Sequence, residues 1–84
     1  MTFEWDRDAD DVYITLRTDV PFKKTILMDD ARMVDFGKGT VPIGIELLDV
    51  SDGVDVRGLP EEEAVAQLLR AHGIRITHAS VEVA

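Results

Sequence analysis

Two hydrophobic rhythms divide this chain, and the change between them sets its fold class. From Asp11 to Arg17, Val12, Ile14 and Leu16 alternate with Asp11, Tyr13, Thr15 and Arg17; from Val41 to Leu47, Val41, Ile43, Ile45 and Leu47 share one parity. Period-two alternation is the signature of half-buried strands, whose successive side chains point to opposite faces. After Pro60 the rhythm lengthens. Val65, Leu68, Leu69 and His72 fall at i, i+3, i+4 and i+7, one face of a helix. A run of strands followed by one helix is an α+β pattern, with short links favouring antiparallel neighbours and the helix free to cover one face of the sheet.

Turn residues punctuate this pattern. Thr2–Trp5 and Asp11–Arg17 are expected to form a hairpin around the acidic loop Asp6–Asp10. Asp19–Phe22 is a connection, because Pro21 cannot donate to a ladder. Lys24–Met28 and Arg32–Phe36 read as strands separated by the Asp29-Asp30 turn, and Gly37-Lys38-Gly39-Thr40 leads into a fifth strand, Val41–Leu48. Asp52-Gly53 is a tight-turn dipeptide that lets Val54–Val56 return as a short strand. Pro60 suits the first helical position, and Glu61, Glu62 and Glu63 suit the positive end of the helix dipole. Leu59 can pack back on the helix face, and Gly73 ends the helix. Ile74–Thr77 reads as a last strand, with Val81 and Val83 on its other face unless the chain bulges near His78-Ala79-Ser80.

Length and charge narrow the function. The 84 residues suit a single domain spanning 1–84. The net charge is −8, shared as −3 over residues 1–42 and −5 over residues 43–84, so the excess is distributed. Such a field repels nucleic acid, whose affinity depends on Lys and Arg displacing counterions, and it disfavours anionic membranes. Lys23-Lys24 is the only pair of adjacent lysines. Without cysteine there can be no disulfide, thiolate metal site or thiol nucleophile. MTFEWDRDAD lacks the basic and apolar segments of a secretory signal, so a cytoplasmic setting is expected.

The pairing of DRDADDVYITL (Asp6–Leu16) with VPIGIELLDVS (Val41–Ser51) resembles the YuzE-like family, a group of small bacterial domains of unknown function. The first motif falls on Asp6, Ala9, Asp10, Val12, Tyr13 and Ile14. The second falls on Gly44, Ile45, Glu46, Leu47, Leu48, Asp49, Val50 and Ser51, with Leu47 and Val50 departing conservatively. Val41-Pro42-Ile43 replaces the commoner Arg-aliphatic-aliphatic lead-in, and Pro42 implies an edge or a bulge there. The resemblance covers residues 3–56; the helix and tail, residues 60–84, are less diagnostic. It implies a two-layer α+β sandwich, a mostly antiparallel sheet of roughly five to six strands with one helix packed on one face. It carries no known activity, and implies an accessory or antitoxin-like role.

Several residue patterns invite a chemical reading. Asp6-x-Asp8-x-Asp10-Asp11 offers calcium-like oxygens, but an EF-hand starting at Asp6 needs glycine at Asp11 and glutamate at Arg17. Gly37-Lys38-Gly39-Thr40 echoes a phosphate loop without its first glycine, its Lys-Ser/Thr pair or its helix. His72 and His78 do not have ligand spacing, and Ser51 and Ser80 lack a nucleophile's context. Asp10, Tyr13, Glu46 and Asp49 remain as a candidate polar pocket; Glu46 shares its strand with Gly44, and Tyr13 or Arg17 could partner it. No catalytic residue, cofactor or metal is assigned. The function expected is a non-enzymatic protein-interaction module that binds a second copy of itself, as a homodimer, or a small basic protein, through a sheet edge or the helix-free sheet face; Phe3 and Trp5 are its aromatic anchors if that surface is exposed, with core burial the favoured expectation for both. The alternative is a small enzyme or ligand binder using the acidic and tyrosine pocket.

Overall fold

A computed structural model describes residues 1–80. The chain is α+β, and it divides into two compact units, Met1–Asp49 and Val50–Ala84.

The first unit is a five-stranded antiparallel sheet of β1 (Thr2–Asp6), β2 (Asp11–Thr15), β3 (Phe22–Asp29), β4 (Arg32–Gly37) and β5 (Val41–Leu47), in the order β1-β2-β5-β4-β3. The expected hairpin forms with Phe3 opposite Ile14 and Trp5 opposite Val12. Its loop is an aspartate-capped turn. Asp6 Oδ1 accepts hydrogen bonds from the Asp8 and Ala9 amides at 3.1 Å each, and Asp10 closes the turn in the left-handed region. Alternation then propagates across the sheet. Phe3, Ile14, Ile45, Val34 and Ile26 form one continuous cross-strand row, and Trp5, Val12, Leu47 and Arg32 form the next. Val12, Ile14, Val34, Ile45 and Leu47 are buried.

Pro42 lies in the central strand, not at an edge. It is tolerated because β5 bulges beside it: Asp35 pairs with Gly44 but Phe36 pairs with Pro42, leaving Ile43 as the extra residue. The Ile43 carbonyl accepts from both the Leu16 and Arg17 amides. The Gly37–Thr40 segment is the expected turn, closed by the Thr40 amide on the Gly37 carbonyl at 3.1 Å.

The second unit departs further from expectation. After a 3-10 turn, Val50–Asp52, come β6 (Val54–Asp55), α1 (Glu62–Ala71) and β7 (Ile76–His78). β6 and β7 pair in parallel as a separate two-stranded sheet, so they do not extend the antiparallel one. The helix between them supplies the crossover that parallel strands need. The last strand starts at Ile76 because Ile74 belongs to the helix stop. The Gly73 amide bonds to the Arg70 carbonyl, and the Ile74 amide bonds to the Leu69 carbonyl, with Gly73 in the left-handed region. That is the paired six-to-one and five-to-two pattern that closes helices at glycine, and both Ile74 and Leu69 are buried. Val65, Ala66 and Leu69 form the buried helix face, and Leu59 is buried as expected. His72 is the C-cap and is exposed, so it does not extend that face; its Nδ1 lies 2.9 Å from the Leu68 carbonyl. Pro60 precedes the helix instead of opening it, because Glu61 adopts a left-handed N-cap. Val81 and Val83 lie outside the described residues.

Glu62 ties this unit together. Its Oε1 accepts from the Gly58 amide at 3.1 Å and the Ser80 hydroxyl at 2.8 Å, and its Oε2 accepts from the Ser80 amide at 2.6 Å. These bonds, the Ser80 amide first, hold the carboxyl below the usual glutamate range. A carboxyl lowered on folding stabilises the folded state above the ordinary glutamate pKa, and that contribution is lost as pH falls through the lower, folded value. The Ser80 amide resonance should therefore titrate with a midpoint below that of an unperturbed glutamate, and Glu62→Gln should abolish the transition. A Ser80 amide unchanged by acid would contradict this.

Candidate functional site

The strand alternation that buries the isoleucines raises a second row on the opposite face, polar from β1 to β5 and apolar on β4 and β3. Glu4, Tyr13, Glu46, Met33 and Leu27 stand opposite one another across all five strands, with Thr15, Gly44, Asp35 and Thr25 in the adjoining row. Tyr13 on β2 and Asp35 on β4 are two strand spacings apart, about 9.5 Å. The tyrosine spans that gap by lying across Gly44. A Cβ at Gly44 would be 2.6 Å from Tyr13 Cζ and would clash with the hydroxyl oxygen. The hydroxyl donates to Asp35 Oδ2 at 2.7 Å, and the Thr25 hydroxyl donates to Asp35 Oδ1 at 2.5 Å. The glycine in the central strand is thus the space through which β2 and β4 are linked.

Tyr13 and Glu46 are directly paired and share the wall of a shallow depression of about 180 Å³, completed by Glu4, Asp6, Asp11 and Val12. Asp10 and Asp49 do not line it. Each sits just outside a strand end in the left-handed region. Arg17 turns instead to Asp19 at 2.9 Å. The sequence reading missed Asp35, although a carboxylate between Val34 and Phe36 in an alternating strand carries the same signal as Glu46. Among the described residues, no group of three or more His, Asp or Glu side chains is placed to hold a metal ion.

Burial, then the hydrogen bond to Asp35 and the charges of Asp35 and Glu46, push the Tyr13 phenol from 10.0 up to about 12. Tyr13 is the chain's only tyrosine, so its phenolate absorbance is a clean probe. The transition should centre near pH 12 and move down in Asp35→Asn without reaching 10.0, because burial is the largest cause. The raised value stabilises the folded state below about pH 10, and the contribution is lost as pH rises toward 12. A midpoint near 10 in the folded protein would contradict the geometry.

A wider groove of about 720 Å³ follows α1, lined by Ala66, Gln67 and Arg70 and by Val56 and Ala79. The carboxylate at its end, Glu62, is already engaged by Gly58 and Ser80.

The other outstanding feature is a sheet edge. β3 pairs only with β4, and every one of its eight residues is exposed. Phe22 is 61% exposed, Ile26 43%, Leu27 68% and Met28 37%. Ile26-Leu27-Met28 gives both faces of this strand apolar side chains, flanked by Lys23-Lys24 and Asp29-Asp30. At the opposite edge, β1 is less apolar. Trp5 and Phe3 are half-buried, packed edge to face at 6.4 Å, and the Arg7 guanidinium caps the Trp5 ring at 3.9 Å.

Among the described residues no helix is long and apolar enough to cross a membrane. No family model matches the chain, and no curated protein or solved structure is significantly similar to it.

Proposed function

We propose that this protein is a non-enzymatic interaction module whose contact surface is the β3 edge. The observation that carries this reading is the exposure of Phe22, Ile26, Leu27 and Met28 along one edge strand. An edge strand presents a row of free backbone N–H and C=O groups, and apolar side chains on it add the hydrophobic gain of burial. Monomeric proteins usually blunt such edges, and sheet augmentation is a common way to bind through one. The first motif that resembles YuzE-like domains falls on the β1–β2 hairpin and the second on β5 and the 3-10 turn after it, with β2 and β5 neighbours in the sheet, and on this basis the chain is read as such a domain. The antitoxin-like role that the resemblance implies is one specific form of the same reading.

The enzyme alternative has weaker support. A depression of about 180 Å³ is smaller than the roughly 300–1,000 Å³ of typical ligand sites. Asp35, the carboxylate nearest the Tyr13 hydroxyl, is already held by two hydroxyl donors.

Leu27→Lys tests the proposal. Leu27 is 68% exposed, so folding stability should change by no more than about 0.5 kcal/mol. Wild-type protein recovered at physiological salt should be bound to a second copy or to a stoichiometric protein partner, and the lysine variant should release it. Wild-type protein that is monomeric and free of any partner would overturn the reading.

A further inference from the structure

Resting on that reading, we infer that the occupant of the β3 edge is the β3 edge of a second copy, paired antiparallel about a twofold axis at Ile26. The charge order along the strand selects this partner. β3 begins with Phe22-Lys23-Lys24 and ends at Asp29, with Asp30 in the turn that follows and the uncharged Thr25-Ile26-Leu27-Met28 between the charged pairs. An antiparallel twofold mate with its dyad at Ile26 lays the lysine pair of each strand beside the aspartate pair of the other, because the extra residue between Leu27 and Asp29 brings Asp29 opposite Lys24 of the mate. A parallel mate would set lysine against lysine. The same order disfavours a basic partner, which would meet Lys23-Lys24 at one end of the edge. In a chain of net charge −8, β3 is the element where like-charge repulsion between copies is locally reversed.

The backbone limits the extent of pairing. β3 is irregular between Phe22 and Lys24 and between Leu27 and Asp29, so its regular stretch is Lys24–Leu27. A short ladder with charge pairs at both ends forms a reversible, concentration-dependent dimer and stops indefinite edge-to-edge growth, because each copy has one such edge. Leu27 and Thr25 of the two copies would extend the face that carries Tyr13 and Glu46, and Ile26 would extend the buried isoleucine row across the dyad.

Sedimentation of the full chain tests this with three variants. Wild-type protein should dimerise with rising concentration. Lys23→Glu/Lys24→Glu should weaken self-association about tenfold, because it sets acids against Asp29-Asp30 at both ends of the ladder, and Asp30→Lys should weaken it less, because it sets a cation against Lys23 at both ends while Asp29 still faces the lysine pair. Asp29 is kept, since it holds Arg32 at 2.8 Å and the Ala31 amide at 3.0 Å. Mixing the two reversed variants should restore dimerisation, because the mixed pair regains the native lysine–aspartate contact in full at one end and, at the other, sets an introduced acid against the introduced lysine. A mixture that associates no better than its components overturns the inference. A monomeric wild type that nonetheless loses a stoichiometric partner on Leu27→Lys overturns self-pairing while leaving the interaction reading intact. A dimer indifferent to every β3 substitution overturns both.

Discussion

Gly44→Val is expected to destabilise the protein by about 2–4 kcal/mol, a change concentrated in one contact. The new Cβ would clash with the Tyr13 hydroxyl oxygen and approach Cζ to 2.6 Å. Gly44 is buried in the central strand, flanked by Thr15 and Asp35, so the backbone has little room to yield. The ring must swing away, which leaves Asp35 with the Thr25 hydroxyl alone. Overpacking costs about 1–3 kcal/mol, and losing a hydrogen bond to a charged group adds about 1.5–3 kcal/mol, with partial overlap between the two. In a chain of this size that lowers the melting temperature by about 10 °C or more. The specific signature is non-additivity: in the Tyr13→Ala background the obstruction is gone, so Gly44→Val should cost much less there than in the wild type. Equal costs in the two backgrounds, measured by urea unfolding, would show that the tyrosine does not lie across the glycine.

Ile45→Ala is expected to cost about 3–4 kcal/mol by a different route. Ile45 is fully buried at the centre of the isoleucine row, opposite Ile14 on one side and Val34 on the other. Truncation removes the transfer gain of its methyl and methylene groups and leaves a cavity that paired strands on both sides cannot close. Leu27→Ala, one of the most conservative changes on the exposed edge, should stay within about 0.5 kcal/mol in the monomer. A cost below about 1 kcal/mol for Ile45→Ala would contradict the register of the sheet, because a one-residue slip would expose this side chain.

Much of the sheet was legible because alternation is a local property. Val12 and Ile14, Ile45 and Leu47 announce their shared face without reference to any partner strand, and the hairpin turns follow from Asp6–Asp10, Asp29-Asp30 and Gly37–Thr40. Strand order was not legible, since alternation says which face a residue takes and not which neighbour it meets. That is why Tyr13 could be nominated with Glu46 while its hydroxyl partner, Asp35, was overlooked: β2 and β4 become close only through β5. The parallel pairing of β6 with β7 was hidden by their brevity, two and three residues, although the strand-helix-strand order pointed to it. Asp10 and Asp49 looked like pocket acids because they flank Tyr13 and Glu46 in sequence, but their left-handed backbones mark them as residues that end strands.

The contact edge was half legible. Ile26-Leu27-Met28 breaks the alternation that a one-sided strand keeps, and charged pairs close it at both ends. Only the order β1-β2-β5-β4-β3 places that segment at a margin, where its backbone has no second neighbour. Hydrogen exchange of the β3 amides as a function of protein concentration tests this placement most directly. Outward-facing amides within Lys24–Leu27 should exchange freely in dilute protein and gain protection as concentration rises, while β5 amides remain protected throughout. β3 exchange that is independent of concentration, and unchanged when a bound partner is present, would contradict the account.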